Sequence, residues 1–184
     1  MVGRRSHAGL APEDGISAIQ VMSKAIAKMN LLRIDEETTC NIGSIKAEYP
    51  TNIVPDRCSI IAEVRSRNAD KLNAHAEHIH QCLQEACDEA GATLEYNPMT
   101  NYVAYNVAED SETVKLIAQA IEKTGHTPHT ALGGGGSDAN VYNLKGIETV
   151  VLGTGMTKVH TTEECIKVQD LNDTARVVLA LLTM

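Results

Sequence analysis

The stretch that decides the fold reads RCSIIAEVRSR at residues 57–67 and continues as NADKLNAHAEHIHQCLQEACDEAG at residues 68–91. In the first segment, apolar residues alternate with polar ones, which predicts a half-buried β-strand. In the second, apolar residues recur at steps of three and four, from the helix-capping residue Asn68 to the terminating Gly91. The sequence therefore predicts a strand that leads directly into a long helix.

The residues on either side of this stretch predict a second helix and further strands. Asp14 is placed to cap a helix. The apolar residues of that helix fall on one face and are Ile16, Ile19, Met22, Ile26 and Met29. Residues 38–47 predict a strand with a bulge at Gly43, and residues 93–96 predict another. Only residues 1–7 can supply an opening strand. Two antiparallel strands between two helices indicate a split βαβ, ferredoxin-like layer.

The pattern changes after Asn101. Helices are predicted over Ser111–Lys123, Ser137–Leu144 and Leu171–Leu182. The short apolar run Thr149–Leu152 predicts a strand that is covered on both faces. This alternation is typical of a mostly parallel α/β sheet, although the segment holds too few strands for a complete α/β domain.

Composition excludes several classes of partner. The chain has 16 basic and 24 acidic residues and a net charge of −8. It therefore lacks the positive surface that nucleic acids and anionic membranes require. The longest strongly apolar run, Val177–Leu182, is far shorter than the ~20 residues of a membrane span. The odd number of cysteines, five, favours reduced thiols in the cytoplasm, with Cys58, Cys82 and Cys87 as small buried hydrophobes.

Two motifs leave their chemistry open. His75, His78 and Cys82 fall on one flank of the predicted helix and could ligate a metal, but no further ligand has a companion spacing, so an ordinary helix flank is favoured. The run Gly133–Gly136 precedes a helix, and its backbone N–H groups could hold an anion. Because it lacks the features of nucleotide-binding loops, close approach of another ligand is favoured, and a plain turn remains open.

Four polar residues each admit two interpretations. His160 follows an apolar run, at a strand end where α/β sheets bind ligands, and a lone histidine there is a candidate metal ligand. Taken singly, His7 is expected to be a surface residue and Asn52 to lie in a turn. Arg65 is expected to be a solvated cation with Glu63 nearby.

Five motifs occur in one order along the chain. They are GRRSHAG at 3–9, NIVP at 52–55, EVRS at 63–66, GGGSDAN at 134–140 and HTTEE at 160–164. Together they resemble the carboxyl-terminal half of the co-catalytic zinc exopeptidases, which include peptidase T and its tripeptidase relatives, carboxypeptidase G and the desuccinylases. The resemblance runs from Gly3 to Leu182 and is greatest to the peptidase T-like branch.

The resemblance implies an architecture of two parts. Members of that family have a catalytic α/β domain that binds two zinc ions, and a ferredoxin-like lid that is inserted in this domain forms a dimer. By resemblance, residues 1–98 are the α+β, βαββαβ dimerisation lid. Residues 99–184 are then the carboxyl-terminal part of the mostly parallel α/β catalytic domain.

The resemblance also implies roles for individual residues. His160 matches a zinc ligand. His7 matches the lid histidine that reaches the partner subunit's site and hydrogen-bonds the scissile carbonyl oxygen. Asn52 matches a residue near that oxygen or the substrate, and Arg65 matches an arginine that helps to hold the substrate's carboxylate. The residues that match a backbone segment lining the substrate cleft are Gly135, Gly136 and Ser137.

The expected function is therefore that of a fragment of a zinc-dependent metallopeptidase. It would hydrolyse short peptides, as a tripeptide aminopeptidase does, and form a homodimer through the lid. The family's other zinc ligands and its Glu base belong to segments upstream of the lid, and only six residues precede His7. One histidine cannot hold catalytic zinc, so we expect the chain alone to be inactive. The alternative is a non-catalytic ferredoxin-like module for dimerisation or small-ligand binding.

Overall fold

Strands form only in the first part of the chain. The computed structural model describes every residue from Met1 to Met184, in two units that comprise Met1–Ala104 and Tyr105–Met184. The elements of the first unit are β1 (Ser6–His7), α1 (Ala18–Lys28), β2 (Leu32–Arg33), β3 (Thr38–Lys46), β4 (Ile53–Val54), β5 (Ser59–Ser66) and α2 (Ala69–Ala90). Those of the second are α3 (Glu112–Lys123), α4 (Asp138–Leu144) and α5 (Val168–Leu182). By their contacts, residues 99–104 fall with the first unit, and the division of the chain at residue 98 by resemblance stays a prediction.

Two antiparallel sheets organise the first unit. In the larger sheet, of order β2-β3-β5, β3 pairs with β5 from Thr38 opposite Ser66 to Lys46 opposite Ser59. The register shifts between Ile42 and Ser44, which confirms the bulge predicted at Gly43. The smaller sheet pairs β1 with β4.

Of the two outer strands of the predicted layer, the opening one is reduced to bridges at Val2 and Arg4 and the two residues of β1, and the last one to a bridge at Thr93. Val2 bridges both Arg57 and Thr93, so the start of the chain lies between these two segments. The prediction of a strand over residues 93–96 is wrong beyond Thr93, because only that residue makes backbone hydrogen bonds with Val2.

Helix α1 begins later than the sequence predicted. Ser17, not Asp14, caps it, and the Ser17 hydroxyl accepts from the backbone N–H of Gln20. Asp14 lies instead in a preceding 3₁₀ turn. The cause is Ile16, which bridges Arg4 in an extended conformation and cannot join the helix. The buried face consequently consists of Ala18, Val21, Met22 and Ala25.

Helix α2 has the predicted ends. The Asn68 side chain accepts from the backbone N–H groups of Asp70 and Lys71, a cap that contributes about 1 kcal/mol. Gly91 ends the helix with a φ of 66°, in the left-handed region that glycine adopts without strain. The helix is thereby fixed at both ends over the sheet.

The core of the first unit lies between the two helices and the larger sheet. Its buried members include Met22, Cys40, Cys58, Ile79 and Leu83. On β5, Ile60 and Val64 pack against this core, as the alternation predicted, but Ala62 is exposed. All five cysteines are free thiols, and only Cys165 is exposed.

Two imidazoles of α2 hold the chain where α1 ends. His75 Nε2 donates to the Asn30 carbonyl at 3.1 Å, and the Asn30 N–H donates to His78 Nε2 at 3.2 Å. His75 is buried, and this burial lowers its pKa. The flank of His75, His78 and Cys82 is therefore a packing contact with the end of α1.

The second unit has no strand. The run Thr149–Leu152 was predicted as a covered strand, but no neighbouring strand is present to pair with it, and Val151 is 63% exposed. The backbone of Thr149 is instead hydrogen-bonded by the side-chain amide of Asn143. Asn143 Nδ2 donates to the Thr149 carbonyl at 2.7 Å, and the Thr149 N–H donates to Asn143 Oδ1 at 3.2 Å. None of the helices has the length and apolar character that crossing a membrane requires.

The His75 contact makes stability depend on pH. Because the pKa of His75 is lowered in the folded state, the unfolded state binds more protons below about pH 6.5. The stabilisation that the His75 contact provides is therefore complete above about pH 6.5. It is lost as the pH falls through the pKa that His75 has in the folded state. In His75→Gln, which cannot titrate, we expect the urea midpoint of the first unit to fall less between about pH 7 and about pH 5.

The matched control for this experiment is His80→Gln. His80 lies on the same helix but stacks on Tyr96 at 4.5 Å between ring centroids. That variant should keep the wild-type pH dependence. An equal fall of the urea midpoint in wild type and His75→Gln would contradict the assignment.

Candidate functional site

The β1–β4 pair brings two of the predicted site residues together. His7 stands opposite Ile53, and the Ala8 N–H donates to the Asn52 carbonyl at 2.9 Å. A tight turn delivers Asn52 to this place, since the Ile53 N–H donates back to the Pro50 carbonyl at 3.1 Å. His7 and Asn52 therefore occupy the same end of the small sheet.

The turn after β1 fixes the His7 ring. Its Nδ1 accepts from the backbone N–H of Gly9 at 3.1 Å and from that of Leu10 at 3.2 Å. A neutral imidazole has one donor and one acceptor nitrogen, so the proton of neutral His7 resides on Nε2. His7 is exposed, and it presents an N–H donor.

Two glycines let the chain pack closely beneath this pair of strands. A Cβ at Gly15 would lie 2.4 Å from Ser6 Oγ and 2.8 Å from Val54 Cγ1. A Cβ at Gly3 would lie 2.1 Å from the Ile16 carbonyl oxygen. The first glycine of the GRRSHAG motif is thus required by backbone contact under the strand that carries His7.

Arg65 lies on the other sheet. It stands on β5 opposite Thr39, and its Nε donates to Glu63 Oε1 at 2.5 Å. Both side chains are about half exposed, and the ion pair raises the pKa of Arg65. The sequence interpretation of Arg65 as a cation close to Glu63 describes what the structure contains.

The glycine-rich run leads into α4 in the second unit. The Ser137 hydroxyl accepts from the Ala139 N–H at 3.3 Å, and the Ser137 N–H donates to Asn140 Oδ1 at 2.9 Å, which together form a capping box. A Cβ at Gly133, Gly134 or Gly135 would meet no atom within 4 Å. No packing within the chain therefore requires glycine at these three positions.

His160 stands in a strained loop. Its φ is 64°, and Lys158 also has a positive φ, of 54°. A bridge between Thr157 and Cys165 closes the loop, and the His160 N–H donates to Glu164 Oε2 at 2.6 Å. Left-handed conformations in residues other than glycine cost energy and cluster at functional sites. The loop holds an exposed imidazole at its tip.

These side chains do not complete a zinc site. No three His, Cys, Asp or Glu side chains of the chain converge so that they could hold a metal ion. Catalytic zinc takes about three protein ligands and an open position. The chain offers His160 as one donor, so its own residues do not fit the complete site that the resemblance implies.

The partners of the two histidines are not among the residues predicted for the site. The Glu164 carboxylate accepts from the His160 backbone N–H, and the N–H groups of Gly9 and Leu10 donate to His7 Nδ1. Glu164 belongs to the HTTEE motif, so its position near His160 could be read from the sequence. The hydrogen bonds of His7 were not visible, because they depend on how the turn after β1 closes.

The approach to His160 depends on one glycine. Gly155 has a φ of 83°, and a Cβ there would lie 2.8 Å from Asp170 Cβ. We expect Gly155→Ala to destabilise the second unit by about 1–3 kcal/mol, as measured by urea unfolding through the NMR signals of α5. Gly133→Ala is the matched control and should change the midpoint little. A midpoint for Gly155→Ala equal to that of Gly133→Ala would contradict the assignment.

Known proteins are similar to this chain in sequence and in fold. Residues 1–91 match the M20 family model described as a peptidase dimerisation domain. The chain is 39% identical over 180 residues to the uncharacterized protein YqjE of Bacillus subtilis (strain 168). The aligned residues cover 98% of this chain and 48% of that protein.

Two solved structures are similar over nearly the whole chain. Aminopeptidase PepT from Bacillus cereus ATCC 10987 is 42% identical with a TM-score of 0.81, and the match covers 98% of this chain and 48% of that one. A tripeptidase from Staphylococcus aureus subsp. aureus mu50 is 33% identical with a TM-score of 0.86, with the same two coverages.

The chain spans about half the length of the relatives that it matches, which agrees with the predicted correspondence to a carboxyl-terminal half. The predicted lid fold is confirmed by the family match and by both structures. The resemblance that the five motifs carry is likewise confirmed. Residues 1–91, nearly half of this chain, are a peptidase dimerisation domain of the M20 family.

Proposed function

We propose that this chain is the dimerising and carboxyl-terminal part of a zinc-dependent peptidase that removes residues from short peptides. Support comes from the family match and from two similar structures whose names are an aminopeptidase and a tripeptidase. The whole enzyme would act as a tripeptide aminopeptidase. Because all five thiols are free, we place it in the cytoplasm.

The observation that carries this proposal is the state of the His7 ring. Hydrolysis of a peptide bond passes through a tetrahedral intermediate whose oxygen becomes negative, and a donor that is already oriented toward it lowers the barrier. His7 Nδ1 is occupied by two backbone N–H groups, so Nε2 carries the proton and is exposed. His7 is therefore suited to donate to such an oxygen.

The other site residues take supporting roles in the proposal. Asn52 stands beside His7 and would contact the peptide near the scissile carbonyl. Arg65 would bind the substrate's carboxylate, since a guanidinium matches a carboxylate in geometry. The backbone of Gly135, Gly136 and Ser137 would line the cleft. His160 would be one zinc ligand. Further ligands and the general base would come from residues outside this chain.

The dimerisation domain supports a homodimer. His7 lies on this domain and at its surface, so it could act in the site of a second copy of the chain. Light scattering of the purified chain at micromolar concentration is expected to give the mass of a dimer. A monodisperse monomer under these conditions would contradict the proposed assembly.

The catalytic role is tested by restoring the missing half. We propose a chimera in which this chain replaces the matching half of the Bacillus cereus aminopeptidase. The chimera is expected to hydrolyse a tripeptide with zinc, whereas the chain alone, with the same peptide and Zn²⁺, should not. His7→Ala should lower the kcat of the chimera by about 10²–10³, the loss typical of one oxyanion donor, and change KM little.

His80→Gln is the matched control for the chimera, because His80 stacks on Tyr96 and has no place in the proposed site. It should keep the parental kcat. Two results contradict the proposal. One is a folded, dimeric chimera without activity; the other is a His7→Ala chimera with a kcat within about twofold of the parent.

A further inference from the structure

Three side chains form a polar cluster next to the β1–β4 pair, which we name the Asp56 cluster: Arg5, Tyr49 and Asp56. Arg5 donates to Asp56 Oδ1 from Nη2 at 2.9 Å and from Nε at 3.2 Å. The Arg5 guanidinium lies 5.3 Å from the centroid of the Tyr49 ring. Arg5 is thus in contact with both of the other members.

The position of the Asp56 cluster relates it to the candidate site. Tyr49 and Asp56 stand at the two ends of the segment that contains Asn52, which we call the Asn52 loop, and Arg5 contacts both. Arg5 stands two residues before His7, directly before β1. The ion pair of Arg5 with Asp56 therefore joins the end of the Asn52 loop to the segment that leads into the strand of His7.

The β1–β4 pair needs such support because it is short. Each strand has two residues, and two-stranded pairs are marginal in water even when they are longer. The contacts that adjoin it are backbone hydrogen bonds, from Gly3 N–H to the Asp56 carbonyl at 2.8 Å and from Ala8 N–H to the Asn52 carbonyl at 2.9 Å. The hydrogen bond from Gly3 thus involves the backbone of Asp56, the same residue whose side chain pairs with Arg5.

The electrostatics agree with this arrangement. Arg5, and after it the Tyr49 hydroxyl, lower the pKa of Asp56, so its carboxylate is ionised at neutral pH. An ionised carboxylate accepts stronger hydrogen bonds than a neutral group, so the hydrogen bonds from Arg5 to Asp56 are charge-assisted.

We propose that Asp56 is a positioning residue that, through its ion pair with Arg5, fixes His7 relative to Asn52. Its catalytic consequence rests on the proposed function, but the positioning itself is measurable without substrate. Asp56 touches neither substrate nor metal in this proposal. It acts through the strand and the loop that carry the two site residues.

The first unit supplies a matched control. Arg57 and Glu95 form another Arg–carboxylate pair, at 3.1 Å, with exposed side chains. Arg57 lies shortly before β5 and Glu95 lies after α2, so this pair does not involve the Asn52 loop. Glu95→Ala therefore removes a comparable ion pair without altering the Asp56 cluster.

The experiment compares Asp56→Ala with Glu95→Ala in the full chain by NMR. One readout is hydrogen exchange of the Ala8 amide, which bonds directly to Asn52. The other is the ¹⁵N signature of the His7 ring, which a general loss of stability would not change. Asp56→Ala should speed Ala8 exchange roughly two- to fivefold and shift the ring signals toward mixed tautomers, and Glu95→Ala should do neither.

Two further variants keep the proposal falsifiable if Asp56→Ala folds poorly. Asp56→Glu retains the carboxylate and should restore part of both signals. Arg5→Gln removes the guanidinium that pairs with Asp56 and should shift both readouts in the same direction. Wild-type values for both readouts in Asp56→Ala and Arg5→Gln would overturn the proposal. So would equal changes in Glu95→Ala.

The chimera separates this proposal from the proposed function. If Asp56→Ala moves the His7 ring signals and also lowers kcat with KM unchanged, both proposals are supported. If the ring signals move while kcat stays at the parental value, the positioning role stands and the catalytic role of His7 is contradicted.

Discussion

Two backbone N–H groups that point at one ring nitrogen are the contact on which the site depends. Gly9 and Leu10 donate to His7 Nδ1, and this leaves the proton of the neutral, exposed ring on Nε2. If that turn were open, the ring would rotate and exchange tautomers, and its donor would have no fixed direction. The close packing over Gly3 and Gly15 and the Asp56 cluster all act on the short strand pair that carries this turn.

The two units contribute different chemistry. The first presents the exposed His7 ring, held by two backbone hydrogen bonds, on a domain that matches the peptidase dimerisation family model. The second carries three histidines, and one of them, His160, lies on a strained loop whose backbone is tied to Glu164. Neither unit carries a complete metal site, which agrees with a chain that spans about half the length of its relatives.

Local signals in the sequence predicted the parts of the fold that are determined locally. Asn68 and Gly91 bound α2 because a cap and a left-handed glycine act within a few residues. The start of α1 was misplaced because a long-range bridge from Arg4 holds Ile16 extended. Thr149–Leu152 has the composition of a strand, but a strand also needs a neighbour, and the second unit has none.

The same distinction holds for the site. The five ordered motifs identified the family and named His7, Asn52, Arg65 and His160 as candidates. They could not predict that Asn52 meets His7 at the end of the small sheet while Arg65 lies on the larger one, since strand pairing is set by the whole unit. Nor could they predict the partners of the His7 ring, because two backbone amides have no signature in the sequence.

The most direct test of the account is the tautomer of His7 in the unmodified chain at neutral pH, read from long-range ¹H–¹⁵N correlations of its ring. The account predicts a single neutral form with Nδ1 unprotonated and Nε2 protonated, because Gly9 and Leu10 occupy Nδ1. A ring protonated at Nδ1, or an even mixture of both tautomers, would contradict it.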